Sequence, residues 1–369
     1  MGQMGRSSVG EQLHAAVGSV ITTAIGEARM PGAVVLLWRC GDILLHGAWG
    51  LRKRWDGPDR EAREPEPMTC DTIFDLASLT KLFTATRVMQ LIEQGHFGLD
   101  DPVADFVPEF GAAGKRGITV RQLLCHVGGL VSGLPLWELE NSSSARLQRA
   151  LGAPAEYPPA TFFRYSDFSF ITLGELVRRV DGRSLADQIA AEITVPLGMV
   201  DTGFLPGAAL RMRCAPTEWN ADRGGIIRGE VHDENSWSLG GVAGHAGLFG
   251  TAVDLLRFAI CHLRGGRWEG RHLLQPETAR QMQKWQTDYL AAACWRGLGW
   301  ELNQRYYMGP FASLATFGHT GFTGTSLVIH PPSETVLIIL ANRVHPTRMG
   351  PPFNTVREGV ASVAANILG

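Results

Sequence analysis

The sequence of 369 residues predicts an α+β fold, in which an antiparallel sheet flanked by helices is built from both ends of the chain. Strand signals cluster near the two termini, while the stretch between them shows mainly helix and loop signals. The strand segments are Ala33–Arg39, Ile43–Trp49, Thr325–His330 and Thr335–Ala341. We therefore expect one sheet formed by both chain ends, with a mainly helical region inserted between them.

The N-terminal elements follow from local patterns. Glu11–Ala28 has the pattern of a helix, and Cys40-Gly41-Asp42 supplies the turn of a hairpin between the first two strands. Leu51–Met68 is charged and contains proline, which predicts a long surface loop. Thr72–Ala77 has the composition of a strand or of an extended entry into the next helix.

Apolar periodicity predicts later helices over Ser78–Gln94, Phe168–Val180, Ser184–Ile193 and about Asn354–Leu368. A further short helix is predicted to begin at the capping box of Thr119 and Gln122 and to end near Gly128-Gly129. Ser142-Ser143-Ser144 is predicted to be a small linker, not a domain boundary. We expect residues 11–77 and 296–369 to form the sheet region and residues 78–295 to form the helical region. The active site would lie at the seam between them.

Composition and charge exclude several functions. Hydrophobic residues make up 45% and charged residues 19% of the chain, as in soluble globular proteins. The 36 acidic and 34 basic residues balance, and no basic run supports a nucleic-acid partner. No stretch is apolar for the roughly 18 residues that a membrane helix needs.

The six cysteines are scattered, without a Cys-x-x-Cys pair, which suits a reducing compartment. Residues Met1 to Gly10 lack the apolar core of a signal peptide. As it stands, the sequence therefore predicts a cytoplasmic protein, or a periplasmic or secreted one if a signal peptide has been removed. It leaves the oligomeric state open.

Ser78-Leu79-Thr80-Lys81 carries the strongest chemical signal. The chain has 17 serines but only four lysines, so chance would produce about 0.2 Ser-x-x-Lys matches. Residues three apart share a helix face, which brings the hydroxyl of Ser78 within reach of Lys81. A buried lysine beside the positive end of a helix would lose affinity for its proton, and the neutral amine could then deprotonate Ser78. The alternative is a serine N-cap beside a solvated lysine.

Tyr165-Ser166-Asp167 is a second candidate element. A phenol can relay a proton between a nucleophile, a leaving group and a lysine. None of the other four tyrosines is followed two residues later by Asp or Asn. The alternative is an ordinary half-buried tyrosine that precedes a helix.

His319-Thr320-Gly321, which precedes the last two strands, is the third element. A strand edge there could offer a backbone N–H to an oxyanion, and a hydroxyl with a cation to a substrate carboxylate. Gly321 would let a ligand approach the backbone closely. The alternative is a turn at the start of a strand with a buried histidine.

In this order and spacing, the three elements resemble the serine penicillin-recognising superfamily, and within it the branch of class C β-lactamases, D-stereospecific peptidases, DD-carboxypeptidases and related esterases. The resemblance covers nearly the whole chain, from about Met30 onward. It extends to the segments Phe74 to Lys81, Ile118 to Leu124 and Gly240 to Leu248. It implies a β-lactamase/transpeptidase-like fold.

The resemblance also implies residue roles. Ser78 would be the nucleophile, Lys81 and Tyr165 the general base and proton shuttle, and the backbone N–H groups of Ser78 and Phe322 the oxyanion hole. His319, Thr320 and Gly321 match the third box, with histidine where many members have lysine. Asp167 would bind substrate, although this box usually ends in Asn, and an ionised Asp cannot donate a hydrogen bond.

Two further features are open to more than one interpretation. Arg343 follows the last strand and could bind a substrate carboxylate bidentately, or it could be one of many surface arginines. His232, Asp233 and Glu234, with His245 further on, could be metal ligands, but adjacent residues rarely converge on one ion. We expect this loop to shape the substrate pocket and the protein to need no metal or cofactor.

These observations predict a serine hydrolase that acts on a small-molecule or peptide substrate. It would form an acyl-Ser78 intermediate from an amide, ester or β-lactam carbonyl. An acyltransferase using the same site, and a penicillin-binding protein that is acylated but turns over poorly, remain as alternatives. If the imidazolium of His319 steers an anionic substrate, catalysis should weaken as the pH rises through the pKa of His319.

Overall fold

The computed structural model describes residues 3–290 and 294–369. The strands within them are β1 (Gly32–Arg39), β2 (Asp42–Gly57), β3 (Arg60–Pro67), β4 (Phe74–Asp75), β5 (Gly203–Phe204), β6 (Trp219–Asn220), β7 (Gly225–Ile226), β8 (Leu248–Gly250), β9 (Arg267–Trp268), β10 (Arg271–His272), β11 (Glu301–Leu302), β12 (Phe317–Thr320), β13 (Ser326–His330) and β14 (Thr335–Ala341).

The α-helices in the same residues are α1 (Gln3–Gly26), α2 (Thr80–Glu93), α3 (Val120–Leu124), α4 (Leu136–Leu139), α5 (Ser143–Gly152), α6 (Asp167–Asp181), α7 (Leu185–Ile189), α8 (Ala208–Arg211), α9 (Glu234–Ser238), α10 (Ala252–Leu263), α11 (Pro276–Gln283), α12 (Arg305–Met308) and α13 (Asn354–Leu368). Helix α7 continues as a π-helical turn, Ala190–Thr194. Short 3₁₀ turns occupy Ala77–Leu79, Val103–Asp105, Pro108–Gly111, Ala221–Arg223, Gly309–Phe311 and Pro331–Ser333.

One antiparallel sheet of seven strands joins the two ends of the described chain, in the order β11-β12-β13-β14-β1-β2-β3. Strands β1 and β14 pair at its centre, from Ala33 opposite Ala341 to Arg39 opposite Thr335. The fold is therefore the predicted α+β architecture, with both chain ends in the same sheet.

Both faces of this sheet are covered, which explains why its central strands are apolar at successive positions. One face of β1, represented by Val35 and Leu37, packs with α1 and α13. The other face, represented by Val34 and Leu36, packs on the core that contains α2, α6 and α10. Because side chains alternate along a strand, each central strand contributes to two cores.

Several predicted elements are confirmed by the structure. The N-terminal hairpin, the last two strands and the C-terminal helix all form, and α13 spans Asn354–Leu368 as the sequence indicates. The capping box also forms: the Thr119 hydroxyl accepts the N–H of Gln122, and the Gln122 side chain accepts the N–H of Thr119. However, α3 ends at Leu124, earlier than expected.

The predicted loop over Leu51–Met68 is wrong, because β2 extends to Gly57 and β3 follows at the edge of the sheet. An edge strand tolerates charge and proline, since one side of its backbone needs no hydrogen-bonding partner. The predicted linker at Ser142 is also wrong: the Ser142 side chain accepts the N–H of Ala145 and caps α5.

None of the described helices is both long enough and apolar enough to span a bilayer.

Candidate active site

Ser78 lies in the 3₁₀ turn Ala77–Leu79, directly before α2. The turn begins at Ala77, which has a positive φ of 48°, an uncommon conformation for a residue with a side chain. Asp75 holds it in place: one carboxylate oxygen accepts the N–H of Ala77 at 2.9 Å, and the other accepts the N–H of His232 at 2.6 Å. The hydroxyl of Ser78 is thus presented by a fixed backbone.

The ammonium of Lys81 is the centre of the site. Its side chain is 0% exposed, and its Nζ atom donates to three oxygens. These are the hydroxyl of Ser78 at 2.9 Å, the Oδ1 atom of Asp167 at 2.8 Å and the backbone carbonyl of His245 at 3.1 Å. Since an ammonium group has three N–H donors, every one is used.

The protonation expected for Lys81 from the sequence is wrong. Burial by itself lowers the pKa of Lys81, but the negative charge of Asp167 and the hydroxyl of Tyr165 outweigh it, so the pKa is raised above its ordinary value. Lys81 is therefore an ammonium in the substrate-free protein at neutral pH. The counter-ion that raises the pKa lies 86 residues further along the chain, so the residues around Lys81 do not indicate it.

Tyr165 packs beside Lys81, whose Nζ lies 4.9 Å from the centroid of the phenol ring. The ring stacks on His126 with centroids 4.5 Å apart, and the Nδ1 atom of His126 accepts the N–H of Ser166 at 3.1 Å. Burial raises the pKa of Tyr165, although the charge of Lys81 partly opposes this. His126 thus fixes the Tyr165 segment, a role that no local signal in the sequence indicates.

His319 and Thr320 end strand β12 and continue past the pairing with β11, which stops at Gly318. The imidazole of His319 is 2% exposed, and its Nδ1 atom donates to the carbonyl of Thr320 at 2.7 Å. Burial lowers the pKa of His319 to about 4. At neutral pH the ring is therefore uncharged in the substrate-free protein, so the imidazolium on which the pH prediction for His319 was conditional is absent there.

Gly321 does allow a close approach, but the neighbour is the chain itself. A Cβ atom at Gly321 would lie 2.0 Å from the Oγ1 atom of Thr325 and 2.7 Å from the carbonyl oxygen of Leu76. The Thr325 hydroxyl also donates to that Leu76 carbonyl at 3.1 Å. The glycine therefore lets the third box pack directly on the turn that carries Ser78.

Phe322 and Arg343 form one wall of the site. The side chain of Phe322 is 50% exposed, and the guanidinium of Arg343 lies 4.5 Å from its ring centroid. The Nε atom of Arg343 donates to the carbonyl of Phe322 at 2.7 Å. His232 stacks near the same ring, at 5.7 Å. Among the described residues, no acceptor receives the backbone N–H of Phe322.

Arg357 is a buried cation in this site that no local signal in the sequence indicates. It comes from α13, is 5% exposed and donates to the carbonyls of Gly321 at 2.7 Å and Thr325 at 2.9 Å. No carboxylate of the described residues pairs with Arg357 or with Arg343, and the Nε atom of Arg357 is buried without a partner. Burial lowers the pKa of Arg357 to about 10, still well above neutral pH.

A cavity of about 640 Å³ brings these groups together. Its wall includes the side chains predicted from the sequence and others that only the fold brings there, among them Ser78, Tyr165, Asp167, His232, Asp233, Glu234, Arg296, Glu301, His319, Thr320, Gly321, Phe322, Arg343, Arg348, Phe353 and Arg357. Lys81 lies behind this wall rather than in it.

A metal cluster is conceivable from distance alone, since ligand atoms of Asp167, Asp233 and His245 lie within 4.8 Å of one another. However, each carboxylate already has a partner. Asp167 bonds the Lys81 ammonium, and Asp233 accepts from His245 at 2.8 Å and from the N–H of Ser236 at 2.7 Å. The lysine thus already supplies a cation to this group of acids.

Fold and site together define a class: an antiparallel sheet flanked by helices, with a serine on the wall of a cavity and a buried lysine in contact with it. A family model described as Beta-lactamase matches residues 17–360. The chain belongs to the beta-lactamase family, as the sequence resemblance predicts, and its relatives place it among the hydrolases of this superfamily.

A similar curated protein is the "Putative D-alanyl-D-alanine carboxypeptidase" of Escherichia coli O157:H7, which is 32% identical over 363 residues, with 89% of this chain and 82% of that protein covered. Among solved structures, SurE is 28% identical with a TM-score of 0.73, covering 98% of this chain and 77% of that chain. "EstCE1, a hydrolase with promiscuous acyltransferase activity" is 24% identical with a TM-score of 0.75, covering 95% and 99%.

Proposed function

We propose that the protein is a serine hydrolase that forms an ester on Ser78 with the acyl group of an amide, ester or β-lactam substrate. The observation that carries this proposal is the 2.9 Å contact between the hydroxyl of Ser78 and the amine of Lys81, with Ser78 on the wall of a cavity of about 640 Å³. A nucleophile and a proton carrier meet there in a space of the size that ligands occupy.

In the proposed acylation step, the Lys81–Tyr165 pair first releases one proton to solvent. The Ser78 oxygen then attacks the carbonyl carbon while its own proton passes to that pair. The negative charge that develops on the carbonyl oxygen would be held by the backbone N–H groups of Ser78 and Phe322. Loss of one such donor typically costs about 100- to 1,000-fold in rate. The Phe322 N–H, which has no acceptor among the described residues, suits this role.

The tetrahedral intermediate then collapses, the bond to the leaving group breaks, and the Tyr165–Lys81 pair returns the proton to the departing nitrogen or oxygen. Water then attacks the carbonyl carbon of the acyl-Ser78 ester and gives a proton to the same pair. The bond between the acyl carbon and the Ser78 oxygen breaks, the pair returns the proton to Ser78, and the acid leaves. These steps use only this chain's own groups, so no cofactor or metal is proposed.

The charges of the cavity favour a substrate with a carboxylate. Arg343 and Arg357 donate to the consecutive carbonyls of Phe322 and Gly321 and have no carboxylate partner among the described residues. A substrate carboxylate near Thr320 would supply the missing negative charge. The name of the Escherichia coli relative agrees with a peptide that ends in a D-amino acid. We therefore favour a DD-carboxypeptidase-like reaction over simple ester hydrolysis.

The test compares wild type with Ser78→Ala on a chromogenic cephalosporin, a p-nitrophenyl ester, and a peptide ending in D-Ala-D-Ala together with its C-terminal amide. Intact mass is measured alongside. We expect cleavage of the free acid but not of the amide, and a loss in kcat of at least about 1,000-fold in Ser78→Ala. Ser19→Ala on α1 is the matched control, and thermal unfolding checks that both variants fold.

The outcomes separate the alternatives. Retained activity in pure Ser78→Ala would contradict the proposed nucleophile. A stable cephalosporin adduct on Ser78 with slow release would indicate a penicillin-binding protein, and rapid release a β-lactamase. Ester cleavage without reaction of the peptide or the cephalosporin would indicate an esterase. Diversion of the acyl group to an added alcohol, with little hydrolysis, would indicate an acyltransferase.

A further inference from the structure

The carboxylate of Asp167 has an unusual relation to the catalytic centre. Its Oδ1 atom lies 2.8 Å from the Nζ of Lys81, whose side chain is 0% exposed. In the family that this chain resembles, the second box usually ends in Asn at this place. An Asn oxygen could accept the same hydrogen bond, but it carries no charge. This chain therefore places one additional negative charge next to the amine that contacts Ser78.

We propose that Asp167 is the counter-ion that keeps Lys81 an ammonium in the substrate-free enzyme, and that its charge sets the pH above which Ser78 becomes reactive. This inference rests on the proposed function, because it concerns the acylation of Ser78. A fully buried ammonium is costly unless it is paired, and Asp167 is the carboxylate within ion-pair distance of Lys81 among the described residues. The other two acceptors of Lys81 are neutral oxygens.

The surroundings of Asp167 support a negative charge. It is the first residue of α6, where the free N–H groups and the helix dipole favour an anion. Its own N–H donates to the carbonyl of Ser132 at 3.0 Å, which fixes the backbone opposite Lys81. The carboxylate is therefore held in place beside the ammonium of Lys81.

The other titratable groups near Lys81 do not take over this role. Asp233 bonds His245 at 2.8 Å and makes no ion-pair contact with Lys81, although its charge interacts with that of Lys81 at longer range. His126 and His319 are buried rings whose pKa values are lowered by burial, so both are neutral at neutral pH. The pKa of Tyr165 is raised by burial, so its phenol is neutral as well. Asp167 thus supplies the negative charge that is in direct contact with Lys81.

The consequence does not depend on which group removes the proton of Ser78. A negative charge close to Lys81 and Tyr165 increases the proton affinity of both. Its removal should therefore make the base form available at lower pH in either case. For a full charge at 2.8 Å, even the dielectric constant of water gives a shift of about one pH unit, and a drier site gives more.

The experiment measures single-turnover acylation by a neutral p-nitrophenyl ester from about pH 5 to about pH 10, so that only enzyme groups titrate. Wild type, Asp167→Asn and Asp167→Ala are compared. The matched control is Asp100→Asn, which removes an exposed carboxylate outside the cavity. Intact mass confirms the adduct on Ser78 in each protein, and thermal unfolding confirms that each variant is folded.

We expect the acid limb of the acylation rate to move to lower pH by at least about one unit in Asp167→Asn and in Asp167→Ala, and to stay in place in Asp100→Asn. At a pH on that limb, acylation of Asp167→Asn would be at least about tenfold faster than that of wild type. A merely structural role would instead lower the rate without moving the limb.

An acid limb that stays in place, or moves to higher pH, in both Asp167 variants would overturn the inference. Absence of any Ser78 adduct in wild type would instead reject the proposed function itself. The two failures are thus distinguishable by mass alone.

Discussion

Replacement of Gly321 by alanine tests how the third box supports the turn that carries Ser78. The new Cβ atom would meet the Oγ1 atom of Thr325 at 2.0 Å and the carbonyl oxygen of Leu76 at 2.7 Å, whereas ordinary contacts are 3.4–4 Å. The threonine can rotate, but it then gives up its hydrogen bond to Leu76. The Leu76 carbonyl belongs to the backbone two residues before Ser78, so relief of this contact moves the turn itself.

The expected cost has two parts. Overpacking of this kind destabilises by about 1–3 kcal/mol, and loss of the Thr325–Leu76 hydrogen bond adds about 1 kcal/mol. Separation to an ordinary contact requires a shift of at least about 0.7 Å near Leu76. A misplacement of about 1 Å can cost about 100-fold in rate, so kcat should fall by about 10- to 100-fold.

Urea unfolding and ester hydrolysis are measured on Gly321→Ala and on Gly152→Ala. A Cβ at Gly152, at the end of α5, meets nothing within 4 Å, so this control should be neutral or more stable by up to about 1 kcal/mol. Adding Thr325→Ala to Gly321→Ala removes the nearest atom and should recover part of the stability. A Gly321→Ala protein within about 0.5 kcal/mol of wild type, with unchanged kcat, would refute the packing argument.

Two further predictions concern stability. Burial lowers the pKa of His319 from 6.5 to about 4, so the unfolded chain binds a proton that the folded protein excludes. The corresponding free energy of unfolding is present above about pH 6.5 and is lost as the pH falls toward 4. In His319→Gln this acid-dependent loss should be smaller by up to about 3 kcal/mol. Urea titrations at several pH values measure it, and the same dependence of unfolding free energy on pH in wild type and His319→Gln would contradict it. Thr119→Ala removes the cap of α3 and should cost about 1 kcal/mol in unfolding free energy with kcat/KM unchanged; an unaltered unfolding midpoint would argue against a stabilising cap.

The sequence predicts the parts of the fold that depend on local patterns. The β1–β2 hairpin and helix α13 are found where apolar periodicity and turn residues place them. The edge strand β3 was not predicted, because its charged, proline-containing sequence is tolerated only at a sheet edge, and neighbouring strands decide where that edge lies.

The same division applies to the site. The contact between Ser78 and Lys81 follows from a spacing of three residues in helical backbone, so the sequence alone determined it. The charge of Lys81, the neutrality of His319 and the presence of Arg357 in the cavity were decided by tertiary structure. The protonation of Lys81 and His319 depends on burial and on charges within a few ångströms, and distant segments of the chain supply both. Arg357 reaches the cavity because α13 packs beside the third box.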